Sequence, residues 1–408
     1  MSGPANAFRP ASRAALAFIF VTVVLDVLAL GVIIPVLPKL IEQFVGGDTA
    51  TAARIYGLFG GVWALMQFVF SPVLGALSDR FGRRPVILFS NFGLGLDYVV
   101  MALSPTVGWL FAGRVISGIT GASVTTAWAY IADVTPPEKR AAGYGVVGSA
   151  FGLGFVLGPA AGGILGAVSP RLPFWVAAAL TLANAMYGLF VLPESLKREN
   201  RARFRWSRAN PLGSLQLLRS RPQLAGLASL NVLYWLAHHS LTSVFVLYAG
   251  YRYGWGARTV GLTLALVGIA SVVVQGGLVR PFVARFGERA GIMTGLLFGA
   301  IGFAVYGLAP TAGAFWAGIP VFAFMGLFGP SLQGMMTQRV GPSEQGRLQG
   351  ANTSIMGLTG IFGPTLFATV FASFIGPRAG LHLPGAPFLL ASLLLACGVA
   401  IAYRVAKT

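Results

Sequence analysis

The chain has 408 residues, 56% of them hydrophobic and only 10% charged, with a mean hydropathy of +0.76 and a formal net charge of +18. That apolar excess excludes a water-soluble fold, and the charge does not describe a nucleic-acid-binding face, because the arginines fall in short breaks between apolar runs. A single cysteine, Cys397, excludes a disulfide framework and a thiolate metal site.

A helix that crosses a bilayer takes roughly 20 mostly apolar residues. Twelve such runs follow one another, at 14–38, 55–77, 86–104, 107–131, 142–167, 172–192, 223–249, 258–280, 290–308, 312–336, 346–373 and 384–404. They do not alternate in segments of about 10 residues, as the strands of a membrane barrel would. The first run follows a few basic residues, as a secretory signal does, but its length, its Asp26 and the lack of a small-residue cleavage site make it a retained helix. The expected fold is an all-α membrane protein. With the N-terminus in the cytoplasm, inner segments hold 22 of the 29 Lys and Arg residues, outer segments hold six, and Arg114 lies within a span. This bias predicts that both termini are cytoplasmic.

An arginine-rich phrase between the second and third runs, "GALSDRFGRRP" at 75–85, returns in worn form as "RPFVARFGERA" at 280–290. An offset of 205 residues superposes Arg80, Phe81 and Gly82 on Arg285, Phe286 and Gly287, Arg84 on Arg289, Gly145 on Gly350, and Gly158 and Pro159 on Gly363 and Pro364. The chain therefore reads as two pseudo-symmetric six-helix bundles, 1–192 and 223–408, joined by a basic linker, 193–222. That linker is either a solvated connector whose arginines enforce orientation and touch anionic lipid, or a regulatory site. Two such halves imply a substrate held near the bilayer midplane while the halves rock around it.

All eleven acids can be placed. Glu42 and Asp48 fall outside, Asp79, Glu138, Glu194, Glu199, Glu288 and Glu344 in inner loops, and Asp133 at the inner end of span four. Only Asp26 and Asp97 lie within apolar spans. An ionisable group there costs about 2.5–3.5 kcal/mol on insertion scales, so it faces a cavity or a partner. Alternate hydration and drying of such a carboxyl would load and release a proton; the plainer reading is a polar tie between helices. Arg114 carries the same cost and needs Asp26 or Asp97 as its partner, and its helical face holds Ser117, Gly118, Gly121 and Thr125, small enough for close packing or for a ligand. Gly75 and Gly82 are expected to permit a tight turn, with Asp79 capping a helix end and Arg83 reaching Asp133. In span five Gly154, Gly158 and Gly162 form one smooth face beside Pro159. Gln67, Asn91, Gln275, Gln333 and Asn352 are candidates for interhelical bonds or a cavity lining. Trp63, Tyr98, Trp128, Tyr130, Tyr234 and Trp235 would stack on a planar ligand or sit in interfacial belts. His238 and His239 are the only mid-span titratable residues of the second half, and a metal site there lacks partner ligands.

The duplicated twelve-span pattern with Gly75, Asp79, Arg80, Gly82, Arg83 and Arg84 between spans two and three resembles the major facilitator superfamily over essentially the whole chain. "GYGVVGSAFGLGFVLGPAAGG", with Gly145, Gly154, Gly158, Pro159, Gly162 and Gly163, resembles the span-five motif of proton-driven drug antiporters. Together with "LDVLALGVIIPVLP", "LDYVV" and "GRVISGITGA" it narrows the likeness to the tetracycline/proton antiporter family. The resemblance implies a proton-coupled exporter of amphipathic drugs, with tetracycline a candidate among them, in a bacterial inner membrane. It implies protons as coupling ion without a cofactor or metal, a small amphipathic molecule and the lipid bilayer as partners, no nucleic acid, and a functional monomer. It gives Arg114 a proton-relay role beside Asp26 and Asp97, makes Asp79, Arg83 and Asp133 a latch tying the halves on the cytoplasmic side, and favours Gln67 as a substrate contact. It also exposes departures: the family's span-nine acid falls at or near Gly299 here, and its span-eight histidine at Ser271. A transporter of another small metabolite is the alternative function; a membrane enzyme or receptor has no catalytic or nucleotide-binding motif behind it.

Overall fold

The computed structural model describes residues 13–121, 123–135, 140–202, 215, 217–218, 222–341, 344–376 and 380–406, and the regular structure among them is helical throughout. The first span is α1 (Arg13–Ile33) continued after a short break by α2 (Leu37–Phe44); α3 (Thr49–Phe81) and α4 (Arg83–Leu103) follow. Span four is broken near Gly121 into α5 (Val107–Thr120) and α6 (Ser123–Val134), and α7 (Arg140–Val168) and α8 (Leu172–Val191) complete the first set of six. Beyond the linker come α9 (Pro222–Tyr253), α10 (Ala257–Val273), a π-helical turn at Val274–Leu278, and α11 (Val279–Leu308). Span ten is α12 (Ala312–Ala323) and α13 (Phe328–Thr337) around a tight turn at Phe324–Leu327, and α14 (Gln345–Ile375) and α15 (Ala386–Val405) close the chain.

Ten stretches among the described residues are long and apolar enough to cross a membrane, and one of them, Ala257–Leu308, is 52 residues long. It holds two spans. Gly287, inside α11, turns the chain between them with φ 80° and ψ 168°. Gly82, 205 residues earlier, turns the chain between α3 and α4 with φ 109° and ψ 161°. Both values lie where a side chain is strained, so the repeated glycine has a backbone reason at each site.

Gly75 does not share that role. It lies inside α3, and the turn belongs to Gly82 alone. At the opposite end of α3, Asp48 caps the helix by accepting from the Ala50 and Thr51 N–H groups at 3.0 and 3.2 Å. The Thr51 hydroxyl and N–H hold its carboxyl below the usual carboxylate range.

Helices before and after the linker meet along two seams, α3 against α14 and α7 against α10. Glycine makes both seams close. A Cβ on Gly60 would lie 2.9 Å from Pro364, and one on Gly163 would lie 2.6 Å from the Ala257 carbonyl and 2.9 Å from the Gly261 Cα. Two hydrogen bonds cross between the halves nearby: Thr365 Oγ1 donates to the Gly57 carbonyl at 3.2 Å, and the Tyr56 hydroxyl donates to the Thr242 carbonyl at 3.4 Å. These contacts lie towards the end of the bundle that carries Asp48, Gly254 and Gly376, opposite the linker. Large apolar side chains such as Phe89, Leu96, Phe190, Val273 and Leu393 are exposed on the outside, where a bilayer would cover them.

Candidate transport site

Asp97 on α4 and Arg114 on α5 are both buried, with 0% and 6% of their surface exposed. They form an ion pair, Arg114 Nη2 to Asp97 Oδ2, at 3.1 Å, and the same Nη2 lies 3.1 Å from the Met101 sulfur. The glycine beside the arginine makes this approach possible: a Cβ on Gly113 would sit 2.5 Å from Asp97 Oδ1. One turn along, Ser117 Oγ accepts from Trp63 Nε1 on α3 at 3.2 Å. Gly118 leaves room for Met66 and the Trp63 carbonyl, and Gly121 leaves room for the Gln67 amide. The small residues along and just after α5 thus seat Trp63 and Gln67 of α3 on the helix that carries Arg114.

Asp26, 6% exposed on α1, belongs to the same electrostatic neighbourhood. Its charge, that of Asp97 and that of Arg114 all act on the fully buried Tyr98 hydroxyl. Of the two acids open to Arg114, Asp97 holds it here.

Asp79, Arg83 and Asp133 come together at the linker end. Arg83 Nη1 donates to Asp79 Oδ1 at 2.5 Å and to Ser78 Oγ at 2.7 Å, while Nε donates to Asp133 Oδ2 at 3.0 Å. Every one of these partners belongs to residues before the linker, so in this conformation the cluster fastens α3, α4 and α6 to one another and does not tie the two halves. Nor does Asp79 cap the next helix. That task falls to Glu194, whose Oε1 accepts from the Arg83 and Leu196 N–H groups at 2.8 and 3.0 Å and whose Oε2 accepts from Arg84 N–H at 3.3 Å. Ser195 adds a hydroxyl to Asp133 at 3.1 Å. Sequence reading passed over Glu194 as one more loop acid; its one signal is its place directly after span six, at the start of the linker.

On α7 the glycine face packs α1: Gly154 fits Val27, Gly158 meets Gly31, and Gly162 lies on the Val32 backbone. Pro159 serves both sides, its ring against Gly31 of α1 and its carbonyl facing Gly261 of α10, and Gly163 turns to α10 in the other half. Gly145 and Trp128 lie in helical backbone, but their surroundings are outside the described residues.

The helices after the linker carry a set of paired amides and stacked rings. Asn231 Nδ2 donates to Asn352 Oδ1 at 3.2 Å, and Asn352 Nδ2 donates to Gln333 Oε1 at 3.0 Å, linking α9, α14 and α13. Tyr234 stacks on Phe328, with ring centres 4.5 Å apart, and on His238 at 6.1 Å, with Trp235 edge-on to both Tyr234 and His238. Tyr130 is drawn away from this cluster, its hydroxyl bonding the Pro193 carbonyl at 3.2 Å. Gln275 is exposed on the π-helical turn, against Gly326. Gly299 is buried, and Met325 and Leu395 fill the space beside it.

The many helices long and apolar enough to cross a membrane, with a charge pair buried among them, place the chain in the class of multi-pass membrane proteins. A sequence profile of the Major Facilitator Superfamily matches residues 19–364, and the chain belongs to that family. It is 39% identical over 373 residues to the class C tetracycline resistance protein of Escherichia coli, covering 91% of this chain and 93% of that one. It is 36% identical over 357 residues to the class E protein of Escherichia coli, covering 86% and 87%. Among solved structures, a variant of the nucleoside transporter NupG superposes with a TM-score of 0.81 at 12% identity, over 96% of this chain and 100% of that one. That likeness is one of fold.

Proposed function

We propose that this chain is a proton-coupled antiporter that exports planar amphipathic drugs, tetracycline among them, from a bacterial cell by alternating access between two domains, 1–192 and 223–408. It works as a monomer in the inner membrane, with both termini and the 193–222 linker in the cytoplasm. The observation that carries this reading is the buried Asp97–Arg114 pair, with Asp26 a second buried acid within a span. A proton taken up by Asp97 cancels its charge and releases Arg114 to another acceptor; losing the proton restores the pair. With the linker end inside, the glycine seams close the outer end, and the conformation described is shut towards the outside. Trp63 and Gln67 on one side, and Tyr234, Trp235 and Gln333 on the other, supply rings and amides to a planar substrate. The tetracycline resistance relatives favour tetracycline within that class. Asp79, Arg83 and Asp133, braced by Glu194, set the inner ends of α3, α4 and α6 for the rocking motion.

The test is proton release in proteoliposomes on addition of tetracycline or another planar amphiphile, paired with resistance in efflux-deficient cells. Release and resistance are expected for the wild type, and release is expected to vanish in Asp26→Asn and Asp97→Asn. The absence of any resistance shift across a broad drug panel would defeat the reading.

A further inference from the structure

We propose that the groove between α11 and α15 is a binding site for one anionic phospholipid, its phosphate held by Arg289 and Arg404 and its acyl chain lying along the apolar floor. This inference rests only on the chain being embedded in a membrane. The groove has a volume of about 550 Å3 and is lined by Met293, Val399, Ala400, Ile401, Tyr403 and Arg404. It opens on the flank of the bundle at the linker end, where α11 leaves the Gly287 turn and α15 finishes. Arg404 lies in the last turn of α15, and Arg289 places its guanidinium 5.8 Å from the centre of the Tyr403 ring.

Both arginines are exposed, and among the described residues neither has an ion pair or a hydrogen bond from its side chain. The acid next to Arg289 gives no compensation. Glu288 faces the other way, accepting from Gln338 Nε2 at 2.8 Å and packing on Gly334 of α13. The repeat makes the contrast plain. Arg84, the counterpart of Arg289 in the first half, spends its guanidinium on the Leu189 carbonyl at the end of α8. Arg289 meets an aromatic ring instead and keeps five N–H donors unspent.

A guanidinium fork fits a phosphate oxygen pair, and two unneutralised cations favour an anionic over a zwitterionic headgroup. The apolar floor beneath them selects a lipid over free phosphate, since only an acyl chain gains from covering it.

The experiment is native mass spectrometry of the full chain, released from detergent with phosphatidylglycerol or with phosphatidylcholine of the same acyl chains. The wild type is expected to retain one phosphatidylglycerol in preference to phosphatidylcholine. Retention should fall about fivefold in Arg289→Gln and about thirtyfold in the Arg289→Gln, Arg404→Gln pair. Arg258→Gln, an arginine at the opposite end of the bundle, should leave it unchanged. Equal retention of the two lipids by the wild type, or undiminished phosphatidylglycerol in the double variant, would overturn the proposal. Should the double variant not fold, Arg289→Gln carries the test by itself, because that side chain is a surface residue.

Discussion

Gly31 of α1 and Gly158 of α7 meet backbone to backbone: a Cβ added to either would lie 2.8–2.9 Å from the Cα of the other. No flexible side chain intervenes to absorb the clash. Overpacking a well-filled contact costs about 1–3 kcal/mol, so Gly158→Ala is expected to lower the thermal unfolding temperature of the purified protein and reduce drug export. Gly148→Ala, at a position with nothing within 4 Å, should change neither. Equal unfolding temperatures for the two variants would show that the α1–α7 contact is not tight.

The ion pair of Asp97 and Arg114 makes a second, signed prediction. Asp97→Asn leaves a cation in a site built for a neutral pair, and breaking a buried pair from one side costs about 3–5 kcal/mol. The double change Asp97→Asn, Arg114→Gln removes both charges and should recover most of that loss. Unfolding measurements on the two variants check the stability order. Proton release checks the function separately, and the double variant is expected to be stable and uncoupled. A double variant no more stable than Asp97→Asn would mean that the pair is not the local determinant.

At the linker end, Arg83 and Glu194 have separable duties. Arg83→Ala removes the cation between Asp79 and Asp133 and should cut transport while leaving membrane insertion intact. Glu194→Gln keeps the shape but weakens the cap on α4, for which about 0.5–2 kcal/mol is typical. It is expected to destabilise modestly with transport retained in proportion to folded protein. Transport rates normalised to protein in the membrane distinguish the two; a normal rate in Arg83→Ala would reduce the cluster to a structural tie.

The spans were legible because hydropathy is a sum over about 20 residues and survives local error. Gly82 and Gly287 were legible as a repeated pair, and both take the positive φ that explains them. Asp26, Asp97 and Arg114 stood out as the charges inside spans, but nothing in the sequence chose between the two acids; the choice comes from Gly113, whose missing side chain lets Asp97 in. Gly75 misled because glycine is frequent within membrane helices, so its presence near the end of a span does not mark a turn. Glu194 was hidden by distance, since it caps Arg83 from 111 residues away. The amide chain of Asn231, Asn352 and Gln333 draws on three separate helices, and its members carried no spacing that linked them.

Gly299 raises the last question, whether a carboxylate there would adapt the second half to a cationic cargo. The packing answers against it. A Cβ at Gly299 would lie 2.8 Å from Leu395 Cδ1 and 3.0–3.1 Å from the Met325 thioether, and the surrounding helix face of α11, with Gly295, Leu296, Gly302 and Phe303, is buried as well. Gly299→Asp would have to displace the end of a leucine and a methionine and then hold a charge among them. Both effects disfavour the folded state. The variant is therefore expected to accumulate poorly in the membrane, with tetracycline export per folded molecule no better than the wild type. Gly299→Ala, which adds only the Cβ that small shifts of the flexible ends of Leu395 and Met325 can admit, should accumulate nearly normally. Membrane abundance and tetracycline export measured on both variants provide the check, and a well-expressed Gly299→Asp with faster export would reveal a cavity at this position instead of a packed contact.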